Sequence, residues 1–338
     1  MKIENLKCKI ENVWSTSPQL LLRTIIIFHF TFLILNSSCI HRELEYESVR
    51  LEVVFDWVNE PDANPGSMSL YLFPDEGGIP YRYDFGGRNG GTIRVKPGVY
   101  HAVCINNDER DILFRGEESH STFETYMGEA MTMSIGSSYS VRSLELPRAA
   151  GLENQPMVQQ PPLLWSDSQT GFSYGLPSSK TKGNDKRLIM QPRRIVDTYI
   201  VTVRNINNVR YLQSMSGTIS DMADGYFTGA MTHNDNSTTL PFDLWHDRET
   251  ATAEGRFYTF GHCATASKSH KMMLYAILND GSKYYFEFDV TTQAHNEPDG
   301  NNVYHIIIDS LNISQPMGEG GMSPSVSIWQ SEDINLEM

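Results

Sequence analysis

Apolar and polar residues alternate along much of the chain after residue 48. The segment "VRLEVVFDW" follows this period of two strictly, and "SMSLYLF" repeats it after the turn-rich "NEPDANPGS". Alternation of this kind predicts β-strands with one face in a core. The positions expected on the buried faces are Val49, Leu51, Val53, Phe55, Trp57, Met68, Leu70 and Leu72.

The same pattern continues to the last residue. "TIRVKPGVYHAVCIN" predicts two strands around a Pro-Gly turn, and "IVDTYIVTVRNI", "VRYLQSMSGTIS", "GRFYTFGH" and "NVYHIIIDSLNI" predict further strands. "KMMLYAILNDGSKYYFEFDV" predicts a hairpin, with a type I′ turn at Asp280-Gly281 in which both central residues have positive φ. The final "DINLEM" alternates at Ile334, Leu336 and Met338, so we expect a terminal strand there.

Strands without sustained helical periodicity predict an all-β fold. Between residues 147 and 192 the alternation fades, and proline, glutamine, serine and glycine accumulate, which is typical of a domain boundary. A chain of this length also exceeds what one hydrophobic core usually supports. We therefore predict two tandem β-sandwich domains, at residues 39–190 and 191–338.

The N-terminal 38 residues predict an export signal. The apolar run from Thr24 to Leu35 has 12 residues, far fewer than the roughly 20 that a membrane-spanning helix requires. It follows several basic residues and precedes the small residues Ser37 and Ser38, which is the layout of a signal peptide over residues 1–38. Cys39 comes next, where a bacterial lipoprotein carries its acylated cysteine. Asn36 stands where a lipobox usually has leucine, so an ordinary signal peptide with an incidental cysteine is the alternative.

The charge of the chain argues against nucleic-acid binding. Its 27 basic and 41 acidic residues give a formal charge of −14, and no segment is rich in lysine or arginine. Such a balance repels phosphate backbones. Cys104 and Cys263 lie in apolar, strand-like segments, and two buried free thiols are a better interpretation than a disulfide between distant positions.

Motifs for catalysis and metal binding are missing from the sequence. We find no GxSxG, no HExxH and no P-loop, and the glycine-rich "DFGGRNGG" reads as a hairpin turn. Six histidines lie in the second half (His233, His246, His262, His270, His295 and His305). None is spaced from another as a strand or helix pair of ligands would be, so we expect histidines without a shared partner, no metal and no cofactor.

Two features suggest binding instead. Trp57 alternates with core positions, whereas Trp165, Trp245 and Trp329 lie in irregular stretches where an exposed indole could stack on a sugar, although packing over a sandwich end is the more common role. The edges of β-sandwiches can also accept a strand from another chain. The terminal segment with Ile334, Leu336 and Met338 could be such a partner strand, or simply the last strand of the fold.

Several segments together carry a family resemblance. They are "CIHRELEY", "VRLEVVFDW", "RYDFGGRNGGTIRVKPGVYHAVCINND", "SGTISDMADGY", "YYFEFDVT" and "SVSIWQSEDINLEM". The chain resembles a family of Bacteroidales surface lipoproteins that is similar to fimbrium anchoring subunits of the FimB type.

This resemblance implies two transthyretin-like, Greek-key β-sandwiches and a lipid on Cys39 in the outer membrane. It also implies fimbrillin-like shaft subunits as partners, joined by strand addition. The alternative function is a non-enzymatic surface lipoprotein that binds glycans, which would require two or more exposed coplanar aromatic rings. A hydrolase would instead require two carboxylates facing each other across a cleft.

Overall fold

The alternating segments form the strands of several packed sheets. The computed structural model describes residues 48–108, 111–136, 139–175, 187–262, 269–300, 302–315 and 329–331. The strands of the first half are β1 (Val49–Phe55), β2 (Ser67–Pro74), β3 (Tyr81–Gly86), β4 (Gly90–Val95), β5 (Gly98–Asn106), β6 (Ile112–Arg115), β7 (Glu124–Met127), β8 (Thr132–Ile135), β9 (Tyr139–Arg142), β10 (Trp165–Tyr174) and β11 (Arg187–Met190). Those of the second half are β12 (Arg193–Arg194), β13 (Asp197–Asn207), β14 (Leu212–Ala223), β15 (Gly225–Phe227), β16 (Thr232–His233), β17 (Ser237–Asp247), β18 (Thr252–Thr259), β19 (Lys271–Leu278), β20 (Lys283–Asp289), β21 (Val303–Asn312) and β22 (Gln330–Ser331).

Helices are short in the described part of the chain. Two 3-10 turns occupy Ser143–Glu145 and Val209–Tyr211, and one α-helical turn, α1, occupies Thr291–Ala294. None of them has the length and apolar character that a membrane span requires. The prediction of an all-β fold is confirmed.

The first β-sandwich joins a three-stranded sheet, in the order β11-β1-β4, to a five-stranded sheet in the order β12-β10-β5-β2-β3. Leu51, Val53 and Phe55 of β1 point into its core, as their alternation predicts. Trp57 is buried there too, edge-to-face with Trp165 at 6.1 Å between ring centroids.

The central strands β2 and β5 are buried on both faces, which their sequence pattern does not predict. Met68 and Cys104 point into the core of the first sandwich. Tyr71, Val103 and Ile105 point the other way, into the larger core of the second half. The five-stranded sheet is therefore an inner layer between two cores.

The second β-sandwich is formed by the two halves of a single eight-stranded sheet, whose strand order is β21-β13-β18-β17-β14-β19-β20-β22. Strand β17 pairs with β14 from Ser237 to Leu244 and with β18 from Trp245 to Asp247, so it connects the two halves of the sheet. The inward faces of both halves share one core, in which Phe257 stacks on Tyr199 and Phe242.

Strand pairing also crosses the predicted domain boundary. Strand β7 pairs with β15 in a small sheet of the order β16-β15-β7-β6, and β12 pairs with β10. From Val49 onward the chain forms one compact unit. The boundary near residue 190 and the tandem transthyretin-like arrangement stay predictions.

A third layer covers part of the second sandwich. The β8–β9 hairpin and the segment that follows it pack Met133, Ile135 and Leu146 onto the outer face of β19, where Met273 and Tyr275 are buried. The outer face of β17 beyond this layer remains exposed, including Trp245, whose side chain is 69% accessible.

The β19–β20 hairpin forms as predicted, but the predicted turn type is wrong. Gly281 has φ +83°, whereas Asp280 is not among the residues with positive φ. The Gly281 amide donates to the Leu278 carbonyl, and the Leu278 amide donates to that of Ser282. This is the three-residue loop in which a type I turn is followed by a left-handed glycine. The "NDG" sequence suits both turns, so the dipeptide alone does not distinguish them.

The β21 edge of the second sandwich is covered at Ile307 by a side chain of the same chain. Gln293 of α1 donates through Nε2 to the Ile307 carbonyl (3.0 Å), and its Oε1 accepts from the Ile307 amide (2.7 Å). Further along β21, Ser310 adopts φ +67°, which interrupts the regular strand. Covering the backbone groups of an edge strand and interrupting its regular geometry both hinder pairing with a strand of another chain.

Candidate assembly interface

The opposite edge of the same sheet carries the last described residues of the chain. Strand β22 runs parallel to β20, with Gln330 beside Tyr284 and Ser331 beside Tyr285. Residues Phe286–Asp289 of β20 continue past this pairing, and no strand pairs with that stretch on this side within the described ranges. The last described residues thus lie on part of the β20 edge.

Trp329 fixes the place where the chain meets this edge. Its ring packs edge-to-face on the buried Tyr275 of β19, 5.3 Å between centroids, and Lys283 Nζ lies 5.7 Å from the centroid of the indole. The ring thus reaches past β20 to β19, and this packing holds the two residues that follow it against β20. The signal in the sequence is the Trp-Gln-Ser run, in which one aromatic residue precedes two polar ones.

The predicted site residues lie beyond this point or before the first described residue. Ile334, Leu336 and Met338 lie outside the described residues, as do Cys39 and the predicted signal peptide. Their roles as partner strand and lipidation site stay predictions. Cys104 is a buried free thiol, and burial raises its pKa, so it is an inert core residue; Cys263 also lies outside the described residues.

Three of the described tryptophans are packed in the fold and one is largely exposed. Trp57 and Trp165 are core residues, and Trp329 packs on Tyr275. Trp245 is the one largely exposed tryptophan in the described part of the chain, and it stacks on no other aromatic ring there. The pair of coplanar exposed rings expected of a glycan-binding protein is therefore not formed by the described tryptophans.

Three histidines come together, and the expectation that they share no partner is wrong. His262 follows β18, His270 precedes β19 and His295 follows α1, and their ring centroids lie 4.6 to 5.8 Å apart. The Ser220 carbonyl accepts from His270 Nδ1 at 2.9 Å. Because a neutral ring then has its lone pair on Nε2, His270 accepts from His295 Nε2 at 3.1 Å. Spacing along the chain could not reveal a cluster assembled from three separate segments.

The cluster is not arranged as a metal site. Across the described ranges, no three His, Cys, Asp or Glu side chains form a group that could hold a metal ion. Burial, together with the nearby His295 and His270, lowers the pKa of His262 to about 4. His262 Nδ1 is also buried without a hydrogen-bond partner among the described residues. The cluster therefore favours uncharged imidazoles.

This arrangement makes stability depend on pH. The pKa of His262 lies below its unfolded value of 6.5 in the native state, so the unfolded chain binds more protons as pH falls. The stabilisation is complete above pH 6.5 and is lost progressively as pH falls towards 4. Because the ring is only half buried and solvent screens part of the effect, we expect a loss on the order of 1 kcal/mol between pH 7 and pH 5.

The measurement is urea unfolding at pH 7 and pH 5 for wild type and for His262→Gln. The variant should lose less stability than wild type over this interval, since it has no imidazole to protonate at that position. His305→Gln is the control, because His305 is exposed and outside the cluster. Equal pH dependence in wild type and His262→Gln would contradict the explanation.

Comparison with known proteins identifies the family of this chain. Residues 38–243 match the family model described as "Domain of unknown function (DUF5119)", which is more than half of the chain. The chain belongs to this family. The match ends within β17, so it includes the whole of the first sandwich and part of the second.

Proteins similar to this DUF5119 protein come from Bacteroides and Porphyromonas. It is 22% identical to a Bacteroides ovatus protein named "Putative fimbrium anchoring subunit Fim4B", over 91% of this chain and 98% of the relative. A crystal structure described as "a putative adhesin" from Bacteroides ovatus matches with a TM-score of 0.58 at 20% identity, over 83% of this chain and 99% of the other. The fimbrial anchor protein Mfa2 from Porphyromonas gingivalis gives a TM-score of 0.46 at 13% identity, over 78% and 90%. The adhesin structure supports the fold described above.

Proposed function

We propose that this protein is an outer-membrane lipoprotein that anchors a fimbria-like polymer and holds a fimbrillin-like shaft subunit by strand addition. The observation that carries the proposal is the similarity to a named anchoring subunit over nearly the full length of both chains. The role is structural rather than catalytic.

The β20 edge supports strand addition as the mode of attachment. Strand β22 already pairs with this edge through Gln330 and Ser331, and the predicted strand with Ile334, Leu336 and Met338 follows directly. Alternating apolar residues in an added strand can fill pockets while backbone hydrogen bonds give affinity. The opposite edge is closed at Ile307 by Gln293, so the β20 edge is the better place for a partner.

Cys39 supports the membrane attachment. It follows an apolar run and two serines, as an acylated cysteine would. More than one acyl chain gives stable anchoring, whereas a single chain binds only marginally.

The test is a pull-down of tagged full-length protein from bacterial membranes, followed by identification of the co-purifying proteins. The variant Ile334→Ser/Leu336→Ser should lose a fimbrillin-like partner that wild type retains, because its strand has lost its apolar face. The matched control is Asn335→Ser/Glu337→Ser, which changes the alternate positions of the same segment and should retain the partner. Cys39→Ala should release the protein from the membrane without abolishing the partner contact. Retention of the partner by Ile334→Ser/Leu336→Ser would contradict strand addition through this segment, and recovery of no protein partner with wild type would contradict the anchor function.

A further inference from the structure

Helix α1 is held at both ends by hydrogen bonds to the surrounding sheet. At its start, the Asp289 carboxylate accepts from the Thr291 amide at 3.0 Å and from the Thr291 hydroxyl at 2.6 Å. The Thr291 hydroxyl in turn accepts from the His270 amide at 2.9 Å. At its end, the Tyr199 hydroxyl donates to the Ala294 carbonyl at 3.0 Å. A helix of four residues has little stability of its own, so its position depends on such contacts.

Gln293 makes the cover on the β21 edge depend on that position. It lies in the middle of α1, and its side chain forms both hydrogen bonds to the outward backbone groups of Ile307. When α1 leaves its place, the Ile307 amide and carbonyl return to solvent. Gln293 therefore covers Ile307 only while α1 is docked.

His295, directly after α1, joins the helix to the histidine cluster. Its Nε2 donates to His270 Nε2 at 3.1 Å, and its ring centroid lies 4.6 Å from that of His262. His270 is fully buried, and its Nδ1 donates to the Ser220 carbonyl. His270 can accept from His295 only while it is uncharged, because an imidazolium has two donors and no acceptor. The contact behind α1 therefore requires a neutral His270.

The described groups that face His262 and His270 leave both rings uncharged at pH 7. Besides each other, these groups are Asp221 of β14, His233 of β16, Asp289 of β20 and His295. For His270, desolvation outweighs the two carboxylates and lowers the pKa, whereas for His262 desolvation and the other imidazoles lower it to about 4. A ring that reaches solvent regains its ordinary pKa of 6.5. The opened cluster therefore takes up protons more readily than the closed one.

We propose that α1 is an acid-released cover on the β21 edge: protonation of the histidine cluster frees α1, and Gln293 leaves Ile307. Because the open state binds more protons, the cover is complete above pH 6.5 and is lost progressively as pH falls towards 4. One imidazole that titrates only in the open state favours opening about 30-fold at pH 5. An edge freed in this way can pair with an added strand. The device is separate from the β20 edge and does not depend on the anchor function.

The test is hydrogen–deuterium exchange of the Ile307 amide in detergent-solubilised full-length protein, compared at pH 7 and pH 5 after correction for the intrinsic exchange rate. In wild type, protection of this amide should fall by about tenfold or more between the two pH values. Gln293→Ala should show the low protection at both. The Ile308 amide, which the alternation of the strand directs towards β13, should stay protected throughout.

Two variants identify the cluster as the cause. In His270→Gln, the side-chain amide can donate to the Ser220 carbonyl and accept from His295 but takes up no proton, so the acid response should shrink several-fold. His262→Gln removes the other ring and should also shrink the response, which keeps the test decisive if His270→Gln fails to fold. The control is His305→Gln, which changes an exposed histidine on β21 itself and should respond as wild type.

Three results would overturn the assignment. One is equal protection of Ile307 at pH 7 and pH 5 in wild type. Another is an acid response that neither His270→Gln nor His262→Gln reduces, which would assign it to other groups. The third is a joint loss of protection at Ile307 and Ile308, because acid would then unfold the strand instead of releasing α1.

Discussion

Replacing Arg115 by methionine is expected to lower the free energy of unfolding by about 3–5 kcal/mol at pH 7. Arg115 and Glu124 are directly paired across β6 and β7, and the guanidinium donates two hydrogen bonds to the carboxylate, at 2.6 and 2.7 Å. The Glu124 side chain is only 6% accessible. Methionine keeps the unbranched aliphatic part of the side chain but leaves a buried carboxylate without its cation.

The second carboxylate at this site makes the loss larger. Asp224 lies 3.5 Å from Arg115 Nη2, and Asn234 donates to both Glu124 and Asp224. Without the arginine, two negative charges face each other with one amide between them. Since Glu124 belongs to the first half of the chain and Asp224 and Asn234 to the second, this network also joins β7 to β15.

Equilibrium urea unfolding followed by tryptophan fluorescence measures the effect. The double variant Arg115→Met/Glu124→Gln should recover part of the loss, because the buried charge is then gone. Arg142→Met is the control: its ion pair with Glu145 is exposed at 3.7 Å and should contribute under about 1 kcal/mol. If the double variant were no more stable than Arg115→Met, the buried carboxylate would not be the cause.

Replacing Phe257 by alanine should cost about 3–5 kcal/mol. Its ring is 1% accessible and lies between Tyr199, at 5.3 Å, and Phe242, at 4.8 Å, in nearly parallel stacking. Truncation removes the middle of this stack and leaves a cavity that strands on both sides cannot close. The rigid pairing of β18 with β13 and β17 prevents collapse into the space.

The same unfolding measurement tests this expectation. Glu254→Ala is the matched control, because Glu254 lies on the same strand but on its exposed face, and should change stability by less than about 0.5 kcal/mol. A loss below about 1 kcal/mol for Phe257→Ala would show that the core relaxes around the missing ring.

The sequence predicts single strands well because a strand's alternation reflects its immediate surroundings. Leu51, Val53 and Phe55 are inward for this reason, and Asp280-Gly281 marks its hairpin correctly. The turn type was not predictable, because "NDG" permits two loops and only the registry of β19 and β20 selects one.

Features that depend on distant segments are harder to predict. The double burial of β2 and β5 depends on two cores that form on either side of their sheet. The histidine cluster needs three segments from different parts of the sheet, and the exposure of Trp245 depends on where the β8–β9 layer ends. No local period reports such contacts.

Because Gln293 is hydrogen-bonded to Ile307, the two edges of the eight-stranded sheet differ in how readily they can pair with a strand of another chain. A subunit with free strand-pairing groups at both edges of a sheet can extend a polymer, since each added subunit presents a free edge to the next subunit. Here the outward backbone groups of Ile307, on one edge, are paired with a side chain of the same molecule. If strand addition to this sheet is confined to the β20 edge, each molecule accepts one strand there, and such a protein would end a row of subunits rather than extend it.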